Sequence, residues 1–119
     1  MAAGITITFS FHRCRGPITS EEGVVESVKK AFERSGVTVV GELHITPFPD
    51  GTINVTADLA ESHSGLGTYS ASRFVRGDVS MCFETTDNTE LARKLVRCLK
   101  DCFNPREVDL NEERWQSRS

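Results

Sequence analysis

The sequence predicts a single α+β domain over residues 1–119, a two-layer sandwich whose antiparallel sheet carries two helices on one face. Three observations point there. Apolar residues alternate with polar ones, or β-branched residues cluster, in about five short stretches. Two further stretches carry apolar residues at helical spacing behind capping signals, and the links between elements are mostly short. With 119 residues the chain can build one hydrophobic core.

Ile5, Ile7, Phe9 and Phe11 alternate with Thr6, Thr8 and Ser10, the period-2 pattern of a strand with one buried face. The chain turns near Gly16-Pro17. Thr19 and Glu22 have the capping-box spacing, and Val24, Val25, Val28, Ala31 and Phe32 recur at helical intervals until Gly36 offers a stop, which predicts a helix over about 20–35. Val37 to Ile45, rich in β-branched residues, predicts a second strand, and Pro47, Pro49 and Asp50-Gly51 break it with a turn. In the third strand Ile53, Val55, Ala57 and Leu59 face one way and Thr52, Asn54, Thr56 and Asp58 the other. Continuing that count puts Ser62 on the polar side.

Residues 63–76 hold Gly65, Gly67, three serines and two arginines, the composition of a loop. Asp78 to Phe83 predicts the fourth strand, with Val79, Met81 and Phe83 on the apolar face and Asp78, Ser80 and Cys82 on the other. Asp87 with Glu90 repeats the capping-box spacing. Leu91, Leu95, Cys98, Leu99 and Cys102 form one stripe of a second helix, ended by Pro105. Arg106 to Leu110 predicts a short last strand and Asn111 to Ser119 a polar, frayed tail. The sheet face away from the helices, with Asn54, Thr56, Ser80 and Cys82, needs a cover, and a second copy of the chain is the expected lid.

A formal charge of -3 lacks the basic footprint of a phosphate-backbone binder, so no nucleic-acid partner is expected. No run approaches the roughly 18 apolar residues of a membrane span. The Met-Ala-Ala start carries neither the basic nor the apolar region of a signal peptide, and a cytoplasmic location is expected. Cys14, Cys82, Cys98 and Cys102 form no paired C-x-x-C signature. Cys98 and Cys102 have helical spacing for a zinc site, but their place on the apolar stripe makes small core residues the expectation, and no metal is assigned.

Glu61-Ser62-His63 is the segment richest in possible chemistry, because a serine preceded by glutamate at a strand end can be a self-cleavage site. Alone, the triplet is also an ordinary polar strand end leading into a serine-glycine loop. Cys82 alone is either an inert cysteine or a proton donor on the polar face. Phe48 alone reads as a cap on the core, and Arg73 with Arg76 as a solvated pair.

The run Gly36-Val37-Thr38-Val39-Val40-Gly41-Glu42-Leu43-His44, the Ala60-Glu61-Ser62-His63 region and Asp78 through Cys82 at its distance from the serine belong together. With Phe11 to Cys14 and the helix and strand around Pro105, they resemble the short prokaryotic S-adenosylmethionine decarboxylases, made as proenzymes. The resemblance covers most of the chain and implies that family's sandwich fold. It implies cleavage between Glu61 and Ser62, giving a β chain of 1–61 and an α chain of 62–119. It also implies a pyruvoyl cofactor made from Ser62, needing no metal, whose ketone forms a Schiff base with a small-molecule amine substrate and draws electrons during decarboxylation.

On the same resemblance Cys82 is the catalytic proton donor, and Asn54 stands where the family has a serine that assists cleavage. Phe48 matches an aromatic that stacks on adenine, and Tyr69 replaces a tryptophan. Gly67 stands where the family carries a histidine that takes the proton during elimination, leaving His63, His44 or water for that task. Ala71 replaces a glutamate that holds the ribose hydroxyls. The implied activity is decarboxylation of S-adenosylmethionine for spermidine synthesis by a homodimer. Gly67 and Ala71 motivate two alternatives: ornithine or arginine as substrate, or an uncleaved, non-catalytic member that regulates or binds a catalytic relative.

Overall fold

The computed structural model describes residues 2–83 and 86–118. Its elements run β1 (Ala3–His12), α1 (Glu21–Ser35), β2 (Val39–Pro47), β3 (Ile53–Leu59), β4 (Ser62–Tyr69), a 3₁₀ turn (Ser70–Ser72), β5 (Phe74–Phe83), α2 (Thr89–Phe103) and β6 (Glu107–Gln116). The six strands form one antiparallel sheet in the order β2-β3-β4-β5-β1-β6. The two-layer prediction holds. Helix α1 packs on α2 and on β2 and β3, while α2 packs on β1 and β5.

The core lies between those layers. Ile5, Ile7, Phe9 and Phe11 from β1 meet Val24, Val28, Ala31 and Phe32 of α1 and Ala92, Leu95, Leu99 and Phe103 of α2, all buried. Residues directly opposite on paired strands share a face. Asn54, Thr56 and Asp58 of β3, opposite Gly67, Gly65 and His63 of β4, therefore lie on the face away from the helices. Arg76, Asp78 and Ser80 of β5 join them there.

Two strands differ from expectation. Where composition predicts a loop over 63–76, the chain forms β4, the 3₁₀ turn and the start of β5. Its glycines serve close packing: a Cβ on Gly65 would lie 3.1 Å from Thr56 Cγ2, and a Cβ on the neighbouring Gly77, just past the segment, would run into the Gly65 carbonyl. Its buried hydroxyls find acceptors, Ser64 Oγ donating to Asp78 O at 2.9 Å and Thr68 Oγ1 to Ile53 O at 3.4 Å. The predicted frayed tail is likewise mostly strand. β6 pairs with β1 from His12 to Ala3, and Arg93 of α2 donates from Nε and Nη2 to both carboxylate oxygens of Glu112 at 2.7 and 2.8 Å. Its many charged side chains suit an edge strand, which stays soluble while its backbone pairs on one side.

Smaller corrections concern the caps and the strand before the turn. Helix α1 is capped by Ser20, not Thr19, its Oγ accepting from Gly23 N at 3.0 Å, because the helix begins at Glu21. Asn88, not Asp87, holds the N-cap position of α2. Asp87 accepts instead from Thr89 N and Oγ1 at 2.8 and 2.6 Å, bonds that hold its carboxyl below the ordinary range. β2 starts two residues later than predicted, and its register with β3 shifts between Val40 and His44, around Gly41 with φ 75°. Among the described residues no helix is long and apolar enough to cross a membrane.

Candidate active site

β3 ends at Leu59, so the parity count that carried Ser62 along it fails. Ala60 and Glu61 form a short connection, and Ser62 opens β4 opposite Met81. The connection is pinned at both residues: Ala60 N donates to Thr38 O at 2.8 Å, and Glu61 Oε1 accepts from Thr38 N at 3.2 Å. A half-buried serine thus sits at a strand end on an anchored turn.

Ser62, His63 and Cys82 come together there. Ser62 Oγ lies 3.2 Å from His63 Nδ1 and 3.8 Å from Cys82 Sγ. A serine hydroxyl bonded to an imidazole nitrogen is the pairing that activates a weak nucleophile. Cys82 is exposed, as its polar-face position predicts, so its thiol is open to a ligand.

One functional group was invisible to sequence reasoning. The backbone N–H of Cys82 donates to the carbonyl oxygen of Glu61 at 3.0 Å, which is the carbonyl joined to Ser62. An amide aimed there stabilises negative charge that develops on the oxygen under attack. Asn88 Nδ2 donates to Cys82 O at 2.9 Å, so the start of α2 fixes the Cys82 backbone from its other side. Only the β4–β5 register brings the Cys82 amide to Glu61, and no side-chain pattern encodes it.

The remaining predicted residues lie elsewhere. Asn54 is opposite Gly67, five residues along β4 from Ser62, on the order of 16 Å away at roughly 3.3 Å per residue. Asn54 and Tyr69 line an open-face cavity of about 380 Å³ together with Arg76 and Asp78. Tyr69 is exposed and leans on Phe74, ring centroids 5.6 Å apart. Phe48, also exposed, stands at the β2–β3 turn, where its N–H donates to Thr52 O at 2.8 Å, so it does not cap the core. His44 pairs with Thr56, away from Ser62.

Arg73 and Arg76 are no solvated pair, because Arg73 donates to the carbonyls of Cys14 and Gly16 and only Arg76 reaches the open face. A larger cleft of about 580 Å³ between α1 and β2 is lined by none of the candidate residues. Among the described residues no group of three or more His, Cys, Asp or Glu is placed to hold a metal ion. Cys98 and Cys102 are half-buried on α2, and burial pushes the Cys102 thiol up.

No curated protein sequence matches the chain. The crystal structure of the adenosylmethionine decarboxylase from Aquifex aeolicus VF5 superimposes with a TM-score of 0.81, covering 94% of this chain and 89% of that one at 18% identity. At that identity the likeness establishes the fold. The family model described as S-adenosylmethionine decarboxylase matches residues 6–114, nearly the whole sheet and both helices. With the strand order, the anchored turn before Ser62 and a match of that extent all in agreement, the chain belongs to the S-adenosylmethionine decarboxylase family.

Proposed function

We propose that the chain is a pyruvoyl-dependent decarboxylase that cleaves itself between Glu61 and Ser62 and releases carbon dioxide from S-adenosylmethionine in spermidine synthesis. The single observation that carries this reading is the arrangement at the β3–β4 turn. The carbonyl before Ser62 accepts from the Cys82 amide while the Ser62 hydroxyl lies beside His63 and Cys82. The substrate is taken from the description of the matched family.

In self-processing the Ser62 oxygen bonds to the Glu61 carbonyl carbon as the peptide C–N bond breaks, giving an ester. Loss of the Ser62 α-proton and of its Cβ–Oγ bond then frees residues 1–61, and hydrolysis releases ammonia. His63 Nδ1, in its unprotonated form, accepts the hydroxyl proton, and the Cys82 amide holds the oxyanion. One such donor is typically worth about 2.7–4 kcal/mol of barrier. A missing general base costs about 100- to 10,000-fold, or about 2.7–5.5 kcal/mol, in the elimination step, where Gly67 leaves the Ser62 α-proton to His63 or water. The half-buried strand end fits a pyruvoyl group, which supplies an electrophilic carbonyl that captures the substrate amine and withdraws electrons as carbon dioxide leaves. Cys82 Sγ holds the proton returned to the substrate carbon that loses carbon dioxide. A second copy covering the open face completes the reading, with the homodimer working in the cytoplasm.

Intact mass spectrometry tests the cut: the purified chain resolves into fragments 1–61 and 62–119, and Ser62→Ala stays whole. A wild-type chain that remains whole after long incubation removes the proposal and favours the uncleaved, regulatory reading. Sedimentation tests the dimer, and a monomer at working concentration would remove that part.

A second reading, ornithine or arginine as substrate, draws on Asp78, whose carboxylate lines the open-face cavity beside Arg76 and offers a partner for a side-chain cation. Carbon dioxide release from the three substrates in parallel decides between them.

A further inference from the structure

We propose that the cavity where β1 leaves the sheet binds a small oxyanion carrying two or more negative charges, held by Arg15 and Arg106, with Arg13 and Arg73 adding positive charge beside them. The cavity measures about 400 Å³, and Ala71 and Ser72 form the rest of its mouth, small side chains that leave the space open. No residue of the Ser62 cluster lines it. The inference stands whether or not Ser62 is processed.

Three chain segments are tied together to bring these arginines to one place. Cys14 N donates to Arg73 O at 2.8 Å, Arg15 N to Asn104 O at 3.0 Å and Arg106 N to His12 O at 3.0 Å. Arg73 is itself part of the frame: its Nε donates to Cys14 O and its Nη2 to Gly16 O at 2.9 Å. Arg13 and Arg73 both hold left-handed backbone, φ 52° and 51°, where side chains other than glycine are uncommon. Below them Cys14 is fully buried, its thiol donating to Phe11 O at 3.5 Å, so the floor is rigid core.

Charge makes the case for an anion. The chain as a whole is acidic, with a formal charge of -3. Four arginines line this cavity and, among the described residues, no carboxylate residue does, and Arg13 is paired with Glu107 outside the lining at 2.5 Å. Among the described residues Arg15 and Arg106 have no side-chain hydrogen bond or ion pair, and Arg73 spends its donors on backbone oxygens. Two arginines with uncommitted side chains at a cavity lined by two more suit a phosphate or several carboxylates on one small molecule, which a guanidinium binds in bidentate fashion. Concentrated positive potential at the mouth of a concave site also draws such anions in.

Calorimetric titration of the full chain at constant ionic strength, with pyrophosphate and with citrate as separate probes and chloride as control, tests the site. The expected result is saturable one-to-one binding of at least one probe, weakened roughly tenfold or more in an Arg15→Ala/Arg106→Ala variant. Tighter pyrophosphate binding assigns phosphorylated ligands, and tighter citrate binding assigns polycarboxylates. No saturable binding of either probe overturns the proposal, as does unchanged affinity in the double variant. A second measurement needs no variant: phenylglyoxal labelling of the wild-type chain, read by peptide mass spectrometry, is slowed at Arg15 and Arg106 by the bound probe but not at Arg97. Equal labelling at all three with and without the probe would also overturn it.

Discussion

Asn54 and Gly67 face each other across the β3–β4 ladder, and a Cβ built on Gly67 would lie 2.8 Å from Asn54 Oδ1. The amide side chain thus occupies space that any larger residue at 67 would need. These are two positions that the resemblance marks as departures from the family pattern, and the structure puts them in one place. Glycine at 67 and asparagine at 54 are fitted to each other.

A double-mutant cycle at 54 and 67 therefore shows coupling. Gly67→Ala is expected to cost more stability with Asn54 in place than beside Asn54→Ala, by about 0.5–1 kcal/mol in denaturant midpoints. Additive effects would mean that Asn54 turns aside freely.

In the proposed mechanism Cys82 acts through two separable groups, its thiol and its backbone N–H. Cys82→Ala keeps the amide on the Glu61 carbonyl, so the mass of the self-cleaved fragments is expected to appear as in the wild type. Carbon dioxide release by that variant is expected to fall about 100- to 10,000-fold. Loss of cleavage together with turnover would place the thiol in processing as well.

Most of the fold was legible because burial writes itself into sequence period: Ile5 to Phe11 alternate as β1, and Val24 to Phe32 stripe α1. β4 was not, since Ser-His-Ser-Gly-Leu-Gly is turn-like composition, and its glycines answer to neighbours on β3 and β5 that a local window cannot see. At the candidate site only the resemblance linked Cys82 to Ser62, and the structure places them 3.8 Å apart. The Cys82 amide had no signature at all, because a backbone donor is shared by every residue but proline.

β6 offers a test of the other misread segment. A chain ending after Leu110 loses the pairing of Asn111 to Gln116 with β1 and the Trp115 ring that lies over Gly4. It is expected to melt earlier and to aggregate through the exposed β1 edge, in scanning calorimetry and light scattering. Unchanged melting would mean that this half of β6 adds nothing.

Acid weakens the tie between β6 and α2. The Arg93 hydrogen bonds hold the Glu112 carboxyl below its ordinary value of 4.5, so its contribution is present above that value and lost as pH falls through the folded one. Glu112→Gln is expected to lower the melting temperature at neutral pH and to flatten the acid limb of the stability profile. Parallel profiles for the two proteins would rule the pair out as a source of acid sensitivity.

The order of strands decides what a cut at Ser62 does to the molecule. Residues 1–61 own β1, β2 and β3, and the remainder owns β4, β5 and β6, yet across the sheet β1 lies between β5 and β6 while β3 borders β4. The two pieces are woven through each other. To come apart they would have to break the β3–β4, β5–β1 and β1–β6 ladders together, so a protein cut there is expected to stay a single body with a fresh chain end set into the rim of an intact sheet.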